Sequence, residues 1–118
     1  MRIWVLLVVA ACAHASGTGS AGFSIAYPDA TSATVGKRFY AKPAGQCRYE
    51  NGRDARWTIT GAQVTSGELP PGVSIVDGAL TGTPTHTGAY RAQIGFTGVT
   101  CAGKELADQT IDVAIRVR

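Results

Sequence analysis

Three cysteines and two histidines supply most of the reactive side-chain chemistry in this 118-residue chain, at Cys12, Cys47, Cys101, His14 and His86. An odd thiol count in an exported chain means that one cysteine is removed, modified or free. Cys12 follows Val9-Ala10-Ala11 at the end of an apolar run, so it is assigned to the export signal or to a lipid, and Cys47 and Cys101 remain as a disulfide pair. Zinc is the competing use of those thiols, but a structural zinc site normally takes four ligands. The chain has no CxxC and no histidine cluster, so no metal is expected. His86 lies in the turn-like run Pro84-Thr85-His86-Thr87-Gly88. A catalytic imidazole needs a nucleophile and an orienting acid within hydrogen-bond reach, and no Gly-x-Ser-x-Gly elbow is present to supply the first. There is likewise no phosphate loop or dinucleotide fingerprint. Asp29, Asp54, Asp77, Asp108 and Asp112 do not follow the spacing of a calcium loop. No catalytic residue and no cofactor are expected, which reads as a protein that is not an enzyme.

The densest charge lies between Gln46 and Arg56, QCRYENGRDAR, around an Asn51-Gly52 turn signal. Arg48, Tyr49, Glu50, Arg53 and Arg56 form the candidate binding loop, because loops on rigid scaffolds carry most recognition and Tyr beside Arg is interface chemistry. The plainer reading is a solvated loop. Without Arg2 the chain holds ten Lys and Arg against eight Asp and Glu. The basic residues are scattered from Lys37 to Arg118 among acids, and nucleic-acid binders concentrate them on one face. No nucleic-acid partner is expected.

Residues 1–15 read as a signal peptide: Arg2 precedes a nine-residue apolar run, Ile3 to Ala11. A spanning helix would need about 20 apolar residues. Two exits are written there. Val9-Ala10-Ala11-Cys12 is similar to a lipobox, which makes Cys12 a lipidation candidate. Ala13-His14-Ala15 is an A-x-A site with cleavage before Ser16. Both place the chain outside the cytoplasm. Lipidation leads to the outer membrane, periplasm or cell surface, with Cys12 as the one link to a membrane. Plain cleavage leaves the chain periplasmic or secreted. Residues 16–22 are small and polar, a flexible linker.

From residue 23 onward the chain must position whatever chemistry it has. Charged residues make up 16% and hydrophobic ones 45%, an ordinary balance for a globular domain. No segment keeps a helical period. Phe23, Ile25 and Tyr27 alternate with small residues, as do Phe39 and Ala41, and Trp57 and Ile59. Val73 and Ile75 precede an Asp77-Gly78 hairpin turn, with Leu80 on the return strand. Tyr90, Ala92, Ile94 and Phe96 share one face. Gly98 to Asp108 reads as a loop. Ile111, Val113, Ile115 and Val117 form the clearest alternation, the last strand.

The run Leu69 to Tyr90, LPPGVSIVDGALTGTPTHTGAY, resembles the central hairpin of a bacterial immunoglobulin-like family related to the cadherin-like modules of dystroglycan type. The order "strand, Val35-Gly36 turn, strand" before it matches that family more loosely. The resemblance implies an all-β, immunoglobulin-like two-sheet Greek-key β-sandwich of about seven strands over residues 23–118. In such a sandwich Trp57 would fill the core centre, and Tyr90 would make the buried corner hydrogen bond or serve as a plain core aromatic. Cys47 and Cys101 would join two loops at one end. The expected function is a monomeric, non-catalytic envelope or surface module that binds a protein or glycan or plays a structural part. The alternative is a small periplasmic inhibitor or accessory subunit of an enzyme.

Overall fold

Alternation of apolar and polar side chains dictates the two longest elements, β9 (Gly88–Thr97) and β12 (Gln109–Val117). They pair antiparallel throughout, from Gln109 opposite Phe96 to Val117 opposite Gly88. One face of the pair is dry: Ala92, Ile94, Phe96, Val113, Ile115 and Val117 are buried, while Arg91, Gln93, Asp112, Ala114 and Arg116 on the other face are exposed. Gln109 shares the dry face, and its buried amide Nε2 donates to Ala107 O at 2.7 Å. Residues 22–118 are described in this structure, a computed structural model. The expected signal peptide, Cys12 and the expected linker as far as residue 21 lie outside the described residues.

Two further strands complete this sheet. β6 (Gly61–Gly67) runs along the free side of β9 with a bulge between Val64 and Ser66. β2 (Ser32–Ala33) lies parallel to the end of β12. The order is β2-β12-β9-β6.

Three strands in the order β3-β8-β7 form a second sheet: β3 (Phe39–Ala41), β7 (Val73–Val76) and β8 (Ala79–Gly82). Asp77 and Gly78 turn the β7–β8 hairpin with φ of 50° and 84°, the doubly left-handed geometry of a two-residue loop that suits twisted strands. Phe39, Ala41, Val73 and Leu80 point inward as expected. Fully burying a side chain of leucine or phenylalanine size stabilises by about 1.5–3 kcal/mol, and Leu80, Ile94 and Phe96 are each 0% exposed.

Two small sheets close one end. β1 (Phe23–Ala26) pairs with β4 (Ala44–Cys47). β10 (Thr100–Cys101) lies between β5 (Trp57–Thr58) and β11 (Lys104–Glu105). All four sheets feed one hydrophobic core, and the described residues are all-β with no helix.

The described residues form twelve strands where the sequence suggested about seven. Much of the difference comes from chain segments that change sheet. Pro43 separates β3 from β4, and a proline has no N–H to continue a ladder; β3 pairs with β8 whereas β4 pairs with β1. The same switch separates β5, paired with β10, from β6, paired with β9.

Three expectations change. Trp57 is half-buried at the edge of the core, not its centre, because β5 is only two residues long and pairs at the closed end. Its indole meets Phe23 edge-on at 6.0 Å and lies on Gly45, where an added Cβ would come 2.5 Å from the ring. The stretch from Gly98 to Asp108 is not a plain loop: it holds the β10–β11 hairpin and the buried Val99. The phenol of Tyr90 does reach the backbone three residues upstream, donating to Thr87 O at 3.1 Å, but the bond is exposed and the side chain is half-buried instead of buried. The buried phenol is Tyr27, whose Oη donates to Gly78 O at 2.7 Å and ties the end of β1 to the β7–β8 turn. Burial pushes its pKa up to about 12, since the phenolate would lose its hydration.

Candidate functional site

Cys47 and Cys101 are bonded, with Cα atoms 5.7 Å apart and a sequence separation of 54. Both are buried, and each ends a strand, β4 or β10. The bridge therefore joins strand ends below two excursions of the chain, the turn from Arg48 to Arg56 and the β10–β11 hairpin. Backbone bonds reinforce it: Ala55 N donates to Cys47 O at 2.8 Å, and Ala102 N donates to Arg56 O at 2.9 Å.

The charged turn is built from its own residues. Arg48 and Asp54 form an isolated antiparallel bridge. Tyr49 N donates to Arg53 O and Gly52 N donates to Tyr49 O, both at 2.8 Å. Asn51 Oδ1 accepts from Arg53 N at 3.0 Å, the Asx turn that favours asparagine in tight loops. Arg48 Nη1 lies 3.4 Å from Asp54 Oδ1 and donates to Gly52 O at 3.1 Å. Such an exposed ion pair is worth at most about 1 kcal/mol. It holds Arg48 within the turn, and the neighbouring Tyr49 is 51% exposed.

Between the turn and the β10–β11 hairpin lies a cleft of about 640 Å³. Of the five loop residues singled out in the sequence, Arg48, Tyr49 and Glu50 line it, whereas Arg53 and Arg56 are exposed outside it. From the facing hairpin come Ala102, Lys104 and Leu106. Sequence reasoning missed these three because their approach depends on a disulfide and a hairpin formed far along the chain. Ala102-Gly103, with φ of 54° and 81°, has the same doubly left-handed turn geometry as Asp77-Gly78. Alanine gave no warning of it. The cleft pairs an exposed phenol with an ammonium and a carboxylate, a set suited to hydrogen bonding and stacking. His86 sits elsewhere, exposed, with its Nδ1 sharing a 2.8 Å hydrogen bond with Thr85 Oγ1. Among the described residues, no group of three or more His, Cys, Asp or Glu could hold a metal ion.

No family model and no curated protein matches the chain. Among solved structures it is similar to a candidate alpha-galactosidase from Bacteroides fragilis NCTC 9343, with 17% identity and a TM-score of 0.49. That match covers 87% of this chain and 19% of the other. The chain thus spans about a fifth of that protein's length, and a likeness at this level leaves activity untouched.

Proposed function

We propose that this chain is a non-catalytic, immunoglobulin-like Greek-key sandwich module that binds a protein or glycan outside the cytoplasm. Kinship with the bacterial family suggested by Leu69 to Tyr90 belongs to the same proposal. The observation that carries it is the Cys47–Cys101 bridge beneath the cleft. By fixing both excursions before a partner arrives, the bridge lowers the ordering cost of association. Tyr49 is exposed in that fixed frame, and tyrosine and arginine anchor interfaces more often than most side chains. A disulfide also suits an oxidising, exported compartment. A lipid on Cys12 would hold the module at the envelope, and cleavage before Ser16 would release it. Either way the loop end is the working surface.

The test combines a glycan array with capture from envelope extract, both under oxidising conditions. Binding is expected to fall at least tenfold in Tyr49→Ala and Lys104→Ala, and to persist in Lys42→Ala on a strand connection away from the cleft. Binding unaffected by both cleft variants defeats the reading. Capture of an enzyme whose activity drops on adding this protein would favour the inhibitor or accessory-subunit role instead.

A further inference from the structure

A second surface lies on the outward face of the four-stranded sheet. Side chains of directly paired antiparallel residues share a face. Arg91 stands opposite Ala114, and Arg116 opposite Ala89. The two arginines are therefore diagonal neighbours across a floor of two methyl groups, about 7–8 Å apart at the backbone. Both are exposed, and neither forms an ion pair among the described residues. With Thr31 at the rim they bound a shallow depression of about 360 Å³. Seven positions of the β9–β12 ladder separate Arg116 from Gln109, roughly 20 Å at the rise of a strand, so the depression is distinct from the disulfide-linked cleft.

Guanidinium forks hold carboxylates by two parallel hydrogen bonds, and two forks over a bare floor leave a place for one such group. The surroundings say what else the ligand carries. Asp112, opposite Gln93, shares this face on the other diagonal of Arg91, and Glu68 lies next to Arg91 through the bond from its N–H to Arg91 O at 3.0 Å. These acids would repel a polyphosphate chain or an anionic bilayer. They would accept hydrogen bonds from hydroxyl groups, as Thr31 would. The alanine methyls can take the C–H face of a ring, and the volume suits one or two pyranoses.

We propose that Arg91 and Arg116, facing each other across Ala89 and Ala114, form a binding site for a uronic-acid residue of a glycan. The site is independent of the cleft around Tyr49. It is tested by following backbone amides of the full chain during titration with digalacturonate, with lactose, sodium sulfate and phosphatidylglycerol vesicles as comparison arms. Saturable shifts are expected at Ala89, Arg91, Ala114 and Arg116 with digalacturonate alone. Arg91→Gln and Arg116→Gln should each weaken binding about tenfold, the loss of one charge-assisted contact. Ala114→Glu, which puts a competing carboxylate on the floor, should abolish it. Tyr49→Ala should leave it unchanged. Equal shifts with lactose, or with sulfate at the same concentration, would overturn the assignment. So would binding to vesicles without any response to digalacturonate, or digalacturonate shifts that survive both glutamine variants.

Discussion

The β7–β8 and β10–β11 hairpins turn through the same backbone geometry and are held by different forces. In both, two consecutive residues have positive φ, Asp77 and Gly78 in one, Ala102 and Gly103 in the other. The first has four-residue strands, places Leu80 in the core and receives the Tyr27 hydroxyl on its turn carbonyl. The second has two-residue strands and an alanine where left-handed backbone is costly. It is attached through Cys101 to a residue 54 positions earlier. A turn can thus be fixed by local chemistry and burial, or imposed on an unsuited sequence by a covalent bond. The imposed hairpin is the one that borders the cleft.

Removing that bond tests the contrast most severely. Cys47→Ser with Cys101→Ser should cost about 4 kcal/mol, the loop-closure entropy for a segment of this length. Chemical denaturation would measure it, and hydrogen exchange should rise at Lys104 and Glu105 before it rises at Ser74 and Thr81. Equal acceleration of the two hairpins would show that they depend on the bond alike. Next comes Leu80→Ala, expected to cost about 3 kcal/mol because the side chain is fully buried; its effect should fall on the β7–β8 hairpin and leave the cleft in place.

Tyr27→Phe is smaller, about 1 kcal/mol, for a buried carbonyl left without its donor. It also carries a pH signature. The folded phenol titrates near 12 and the unfolded one near 10, so its contribution is complete below pH 10 and is lost as pH rises towards 12. Wild-type stability should therefore fall further than that of Tyr27→Phe across this window. A parallel decline would place the tyrosine in water. The smallest effect has the opposite sign. Ala102→Asn gives the imposed turn the Asn-Gly sequence that prefers this geometry and should add up to about 1 kcal/mol to the melting free energy. No gain would mean that the bond already absorbs the strain.

The fold was legible where one face of a strand meets the core and the other meets water. Val113, Ile115 and Val117 alternate for that reason, and so do Ala92, Ile94 and Phe96. β6 was not legible: its Gly61–Gly67 run is an edge strand with mostly exposed residues, so burial imposes no alternation on it. The candidate site was readable as to its first half. Asn51-Gly52 and the surrounding charges mark a turn, but nothing near Lys104 or Leu106 announces what they will face. Trp57 was placed too deep because a two-residue strand gives no sign of how near the core edge it will lie.

By itself the sequence determined an all-β chain, the Asp77-Gly78 turn, the inward faces of the two long strands and the partner of each paired cysteine. Those features rest on side-chain period, backbone preference at single residues and thiol count, all of which are local or additive. The tertiary structure alone decided that Tyr27 caps a distant turn, that Trp57 lies against Gly45, and that Arg91 stands diagonally from Arg116. Each of these depends on strand register or on sheets exchanging segments, and such contacts join residues whose separation along the chain carries no trace of their meeting.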